Sequence, residues 1–245
     1  MRLAAVIFDW GGTLVPWSDL DLADLWSGAA RLLAPEDPGP VVAALVAAEQ
    51  AMWLRCDATL ASATITDVIT DAARRTGLPV DEVLHDRLVE THLEAMTPHT
   101  RCRPEAAGVL RALRELGLRT GLLSNTHWPR EWHERFLARD GVVDLLDSRV
   151  YTSDLDHIKP HPAAFAAVLE QLRVAPEEAV FVGDRPVDDI LGASRAGLRT
   201  IWLPNGRLTE LVTPPDAIAE RFEQVLDQVT GWLGDGAAGG RPAAG

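Results

Sequence analysis

Short apolar runs alternate with longer amphipathic stretches along most of this chain. Residues 3–8, 119–123, 149–152, 179–183 and 199–203 are rich in aliphatic and β-branched side chains, the pattern of buried strands. Residues 104–116, 162–172 and 187–196 carry apolar positions at helical spacing. Strands alternating with helices in this way predict an α/β fold built on a doubly wound parallel sheet. Between the first and second strands lies a long stretch without strand pattern, in which residues 20–33, 41–55, 65–76 and 80–96 read as four helices. Pro35, Pro38, Gly39 and Pro40 separate the first two, Gly77 and Pro79 the last two, and Ser62 or Thr64 is placed to cap the third. The expected organisation is an α/β core of residues 1–15 and 97–233, with a helical cap of residues 16–96 inserted after the first strand. Residues 234–245, rich in Gly, Ala and Pro with little to bury, are expected to be a disordered tail.

Composition narrows the class. Of 245 residues, 47% are hydrophobic and 24% charged, ordinary for a soluble globular chain. The first apolar run is too short for a signal peptide core, and no later run approaches the ~18 residues of a membrane span. A cytoplasmic protein without a membrane partner is expected. A net charge of −13 argues against nucleic acid, which demands clustered Lys and Arg. Residues 16–96 hold 14 acidic side chains against 5 Arg, so much of the excess falls on solvated helical faces there. Cys56 and Cys102 form neither a disulfide framework nor a zinc-ligand spacing. The basic residues are 22 Arg and one Lys, Lys159, so chemistry that needs a side-chain amine has a single location.

Reactive groups gather at the ends of the expected strands. Asp9-Trp10-Gly11-Gly12-Thr13 follows the first apolar run and delivers a carboxylate to a strand tip, where open α/β sheets place their chemistry. The second strand ends in Ser124-Asn125, a hydroxyl and an amide. Lys159-Pro160-His161-Pro162 sets an ammonium just ahead of a helix N-terminus, a pairing that favours an anion. Gly183-Asp184-Arg185-Pro186-Val187-Asp188-Asp189 places three carboxylates at a further tip. Mg²⁺ takes such oxygens while keeping waters and substrate phosphate as its other ligands. Of Asp188 and Asp189, one is expected to cap the next helix or to hold Lys159.

Asp9, Ser124, Lys159 and Asp184, in that order and context, make the chain similar to the haloacid dehalogenase (HAD) superfamily, and residues 16–96 resemble the type-1 cap of its dehalogenase-like branch. The resemblance implies a Mg²⁺-dependent phosphatase acting on a small phosphorylated metabolite through an aspartyl-phosphate intermediate. In that scheme Asp9 is the nucleophile and a metal ligand, and the backbone carbonyl of Gly11 is a second ligand. Ser124 and Lys159 bind the transferring phosphoryl group, and Asp184 holds the metal with support from Asp189. Substrate contacts are expected from Gly11, Gly12, Thr13 and Asn125, and from Trp17, Trp53, Arg55 and Trp128. Aromatic rings with a guanidinium would suit a sugar, a nucleoside or an organic acid. The physics agrees: carboxylate attack splits one hard displacement into two steps, and a cation with Lys159 offsets the repulsion between Asp9 and a phosphate dianion.

Gly11 stands where phosphatases of that superfamily carry a second Asp, which protonates the leaving oxygen and then activates water. Such acid–base help is worth ~10²–10⁴ in rate. His127 and His161 are candidate substitutes, and a substrate whose leaving group needs little protonation, such as an acyl or anomeric phosphate, is the other solution. The first motif is also similar to that of phosphonoacetaldehyde hydrolases, whose Schiff-base chemistry needs a cap lysine, and residues 16–96 contain none. A metal-independent 2-haloacid dehalogenase-like hydrolase needs no acid at residue 11 and is the first alternative. The carboxylates at 184, 188 and 189 oppose it by repelling a carboxylate substrate. A non-catalytic protein that binds a phosphate ligand is the second alternative. Mutase-type transfer is disfavoured, because it depends on the missing acid.

Overall fold

The computed structural model describes residues 3–206 and 210–238. Six strands, β1 (Ala5–Phe8), β2 (Arg119–Ser124), β3 (Ser148–Tyr151), β4 (Ala179–Gly183), β5 (Arg199–Trp202) and β6 (Ala217–Ile218), form one sheet in the order β3-β2-β1-β4-β5-β6. Every neighbouring pair is parallel. The doubly wound sheet expected from the alternating pattern is therefore present. The chain winds outward from β1 to β3 on one side and from β4 to β6 on the other. The topological switch point, where such sheets bind ligands, lies between β1 and β4. β3 begins one residue earlier than the expected 149–152, and the two-residue β6 is too short to show a periodicity.

Four helices fill the stretch between β1 and β2: α1 (Leu22–Leu33), α2 (Gly39–Thr59), α3 (Ile65–Thr76) and α4 (Glu82–Met96). Their ends follow local chemistry. Asp21 caps α1 by accepting from the Ala23 N–H at 2.8 Å, and Asp81 caps α4 by accepting from the Leu84 N–H at 2.8 Å. Thr64, rather than Ser62, precedes α3, where its N–H donates to the Asp67 carboxylate at 2.7 Å. Gly77 closes α3 at φ +69°, a left-handed conformation that suits glycine. Buried Leu25, Trp26, Ala29 and Ala30 of α1 pack with α2 and α4.

The remaining helices are α5 (Ala106–Glu115), α6 (Arg130–Arg139), α7 (Pro162–Leu172), α8 (Gly192–Arg195) and α9 (Gln224–Ala238). Successive side chains of β1 point to opposite faces of the sheet. Val6 and Phe8 join one apolar cluster with Leu110, Val180 and Val229, while Ala5 and Ile7 join a second with Phe165, Val168 and Phe181. With both faces covered, β1 and β4 are buried throughout, as parallel strands require. No helix among the described residues is long and apolar enough to cross a membrane.

Two expectations need correcting. The helix expected over 187–196 starts as a π-helical stretch, Pro186–Leu191, and only then tightens into α8. Its wide turn carries the Ile190 N–H back to the Arg185 carbonyl at 3.2 Å and leaves Asp189 turned toward the end of the sheet; π turns recur at functional sites. The expected disordered tail starts inside α9, whose backbone is helical to Ala238, and residues 239–245 lie outside the described residues.

Candidate active site

The C-terminal end of the sheet gathers the charged groups. The Asp9 N–H continues the ladder onto the Val182 carbonyl at 2.9 Å, which holds the residue at the switch point between β1 and β4. Lys159, 1% exposed, reaches in from the loop after β3. Its Nζ donates to Asp9 Oδ1 at 2.6 Å, to Asp189 Oδ1 at 2.7 Å and to the Leu123 carbonyl at 3.1 Å. All three ammonium donors are thus directed by the fold. Asn125 fixes the backbone of the same residue, its amide donating to the Lys159 carbonyl at 2.9 Å and accepting from the Lys159 N–H at 2.8 Å.

Asp184 is the fourth charged member and is fully buried. Its Oδ2 accepts from Trp17 Nε1 and from Asn205 Nδ2, both at 2.6 Å, and its Oδ1 accepts from the Thr13 hydroxyl at 3.3 Å. Gly12 is required beside it. The backbone there has φ +90°, and an added Cβ would run into the Asp184 carboxylate and the Trp17 indole nitrogen. Gly11 differs, since a Cβ built there meets nothing within 4 Å. The neighbouring acids also separate into roles: Asp189 holds Lys159 and accepts from the Arg185 N–H at 2.9 Å, while Asp188 pairs with the Arg185 guanidinium at 3.2 Å.

Burial pushes the Asp9 carboxyl up to about 7 despite the pull of Lys159, with Asp189 and Asp184 adding to the rise. Burial and the charge of Asp189 likewise raise Asp184. Burial works against the Lys159 ammonium, but Asp189 and Asp9 outweigh it and hold the group well above its ordinary range. Carboxylate oxygens of Asp9, Asp184 and Asp189 lie within 4.8 Å of one another. An all-oxygen, negatively charged donor set suits a hard divalent cation, which would also offset the burial that raises Asp9. The residues present therefore fit a metal of that class.

A cavity of about 410 Å³ opens over this cluster, between the sheet end and the helices α1, α2 and α4. Asp9, Gly11, Ser124, Asn125 and Lys159 form its floor, and Trp17, Trp53 and Trp128 stand in its walls. Gly12 and Thr13 do not line it, because both face Asp184 instead. Arg55 is also displaced, exposed on α2 and lining a separate depression with Asp67 and Asp71. The candidate acids fare no better. His161 caps α7, accepting from the Ala163 N–H at 3.2 Å, and stacks on His157 outside the cavity. His127 does line the cavity, but burial, with the charges of His92 and His133, drives its pKa down to about 3, so near neutrality it stands as a neutral imidazole and not as the imidazolium acid that Gly11 leaves missing.

The cavity also contains residues that the sequence did not single out: Trp10, Glu49, His92, Thr126 and Arg185. Glu49 had a readable signal, as the sole charged residue in the largely apolar run from Val41 to Met52. A buried carboxylate of that kind needs a partner.

A family model described as haloacid dehalogenase-like hydrolase matches residues 3–197, and the chain belongs to that family of hydrolases. Among curated relatives, a glyceraldehyde 3-phosphate phosphatase of Methanopyrus kandleri is 29% identical over 161 residues, 64% of this chain and 68% of that protein. The pyrophosphatase PpaX of Bacillus cereus is 31% identical over 120 residues, 48% of this chain and 54% of its own. The chain thus spans about two thirds of one relative and about half of the other. Among solved structures, a 2-haloacid dehalogenase from Pseudomonas syringae pv. Tomato DC3000 superposes with a TM-score of 0.71 at 26% identity, over 94% of this chain and 100% of that one.

Proposed function

We propose that the chain is a Mg²⁺-dependent phosphatase that hydrolyses a small phosphorylated metabolite through an aspartyl-phosphate on Asp9. The observation that carries this reading is the placement of Lys159 between Asp9 and Asp189, with a carboxylate oxygen of the buried Asp184 within 4.8 Å of both acids. Asp9, Asp184, Asp189 and the backbone carbonyl of Gly11 would hold the cation, which supplies charge neutralisation for a phosphate dianion. Asp9 attacks phosphorus, the phosphorus–oxygen bond to the leaving group breaks, and water later cleaves the acyl-phosphate. Lys159 and Ser124 bind the phosphoryl oxygens, and Asn125 acts as a positioning residue for Lys159 through its two backbone hydrogen bonds. Names of the curated relatives support phosphate chemistry on small molecules, and a cavity of about 410 Å³ suits a ligand of that size. Compartment follows the sequence expectation of a cytoplasmic protein.

With Gly11 at the acid position and neither histidine able to replace it, we assign the enzyme to substrates whose leaving group needs little protonation, acyl and anomeric phosphates among them. A panel of phosphate esters with Mg²⁺ tests this. Expected is faster turnover of acyl and anomeric phosphates than of alkyl phosphates, and a ranking dominated by alkyl esters would reject the assignment. Gly11→Asp adds a Cβ that meets nothing within 4 Å. It should raise kcat on alkyl phosphates by about tenfold or more while changing p-nitrophenyl phosphate much less. An equal effect on both substrates would show that protonation is not what limits the enzyme.

A second reading, 2-haloacid hydrolysis, is favoured by one observation, the superposition on the Pseudomonas syringae dehalogenase at 26% identity. It predicts halide release from 2-chloropropionate in EDTA. The three carboxylates within 4.8 Å argue for phosphate with a cation instead, and the same assay with and without EDTA separates the two.

A further inference from the structure

A second cluster of ligating side chains lines the same cavity and shares no residue with the carboxylates around Lys159. Glu49 comes from α2, His92 from α4 and His127 from the loop after β2, so two cap helices and one core loop converge. One ligand atom from each lies within 4.8 Å of the other two, and all three residues are buried. His127 Nε2 faces Glu49 Oε1 at 3.7 Å, beyond hydrogen-bonding distance. His127 Nε2 and His92 Nδ1 are buried nitrogens without a hydrogen-bond partner, in residues 5% and 1% exposed.

The surroundings hold these groups in place while leaving the two ring nitrogens unsatisfied. Trp26 Nε1 donates to Glu49 Oε2 at 2.6 Å, fixing the carboxylate with its other oxygen toward His127. The Trp26 indole stacks on the His92 ring with centroids 3.7 Å apart and planes 14° from parallel. Trp53 meets the His127 ring edge-on at 5.4 Å. Buried polar atoms without partners are costly, so such a site calls for something that satisfies several at once. Two imidazoles and a carboxylate form the donor set of a three-ligand transition-metal site, with a fourth position open to the cavity. Imidazole donors select Zn²⁺, Co²⁺ or Ni²⁺ over the hard cation that suits the all-oxygen centre below. Burial also keeps both rings in the neutral, ligating state, with His92 lowered to about 4 and His127 to about 3.

We infer that Glu49, His92 and His127 bind a divalent transition-metal ion, Zn²⁺ or a close relative, at the junction of cap and core. Ligation would draw the three atoms closer than their present spacing and tie α2 and α4 to the loop after β2. The site does not rest on the phosphatase reading, because none of its ligands belongs to the Asp9 centre.

The test is a Co²⁺ titration of the metal-free full-length protein in excess Mg²⁺, which occupies the carboxylate centre, read by visible absorption. Expected is one equivalent of Co²⁺ with the intense bands of a nitrogen-ligated, low-coordinate ion. Those bands should persist in Asp184→Asn. In His92→Gln and His127→Gln, apparent affinity should fall by at least about tenfold. Thermal melts with and without Zn²⁺ give a readout independent of the absorption: the ion should raise the Tm of the parent protein and of Asp184→Asn, but not of either Gln variant. No binding under Mg²⁺ competition overturns the inference. A Co²⁺ spectrum that survives both Gln substitutions, or disappears with Asp184→Asn, overturns it equally.

Discussion

Asp9→Asn should leave a folded protein whose kcat on its phosphate esters is lower by about 10⁴-fold or more, the scale seen when a covalent nucleophile is removed from a set of groups that act together. Asparagine keeps the shape of the side chain and removes a carboxyl that burial has already pushed up to about 7. The substitution therefore relieves a desolvated charge, and Lys159 keeps its pairing with Asp189. At pH 8 the Tm should hold or rise. Loss of turnover with an intact Tm separates a nucleophile from a structural acid, and in the parent enzyme a rapid acid quench with labelled substrate should trap label on Asp9. Turnover within tenfold of the parent would reject the assignment. The same pair of measurements addresses a non-catalytic phosphate-binding protein, which would show no turnover for the variant to lose.

Lys159→Met carries the largest expected effect on stability. Lys159 is the only basic side chain within ion-pair distance of Asp9 and Asp189 among the described residues. Removing one partner of a buried pair leaves uncompensated charge, a loss of about 3–5 kcal/mol. For a chain of this size that corresponds to a Tm lower by roughly 6–20 °C. The pH dependence has a definite sign. Asp9 binds its proton more tightly in the folded state, so its contribution is fully present below the unfolded carboxyl range and is lost as pH rises through the folded value of about 7. Removing Lys159 moves that folded value higher still, so the deficit relative to the parent should open as pH rises above 7. Paired denaturant titrations at pH 6 and pH 9 check this, and a pH-independent deficit would place the role of Lys159 in packing rather than charge.

Asp9, Ser124, Lys159 and Asp184 could be read from the sequence because each sits at the end of its own apolar run or just ahead of a helix, where local pattern suffices. The parallel sheet was legible for the same reason. Arg55 was misplaced by helical phase, since residues two apart on an α-helix point about 200° from one another, so the helix that turns Trp53 into the cavity turns Arg55 out of it. Gly12 and Thr13 belong to the right loop but serve Asp184, a contact made across 171 residues of sequence in the case of Thr13. Glu49, His92 and His127 form a group only once α2, α4 and the loop after β2 meet, and no spacing in the chain announces it. The wide turn at Pro186–Leu191 was hidden for a different reason: its apolar positions follow a helical rhythm, while the hydrogen bonds of Asp189 set its geometry.

The single lysine has a consequence for how this protein can be followed in solution. With one side-chain amine in 245 residues, amine-directed acylating reagents have one internal target, and it is 1% exposed. Held as an ammonium by Asp9 and Asp189, that target is shielded and non-nucleophilic in the closed molecule. Acylation of Lys159 therefore reports excursions that expose the floor of the cavity, and the labelling rate becomes a clock for opening that needs no engineered probe.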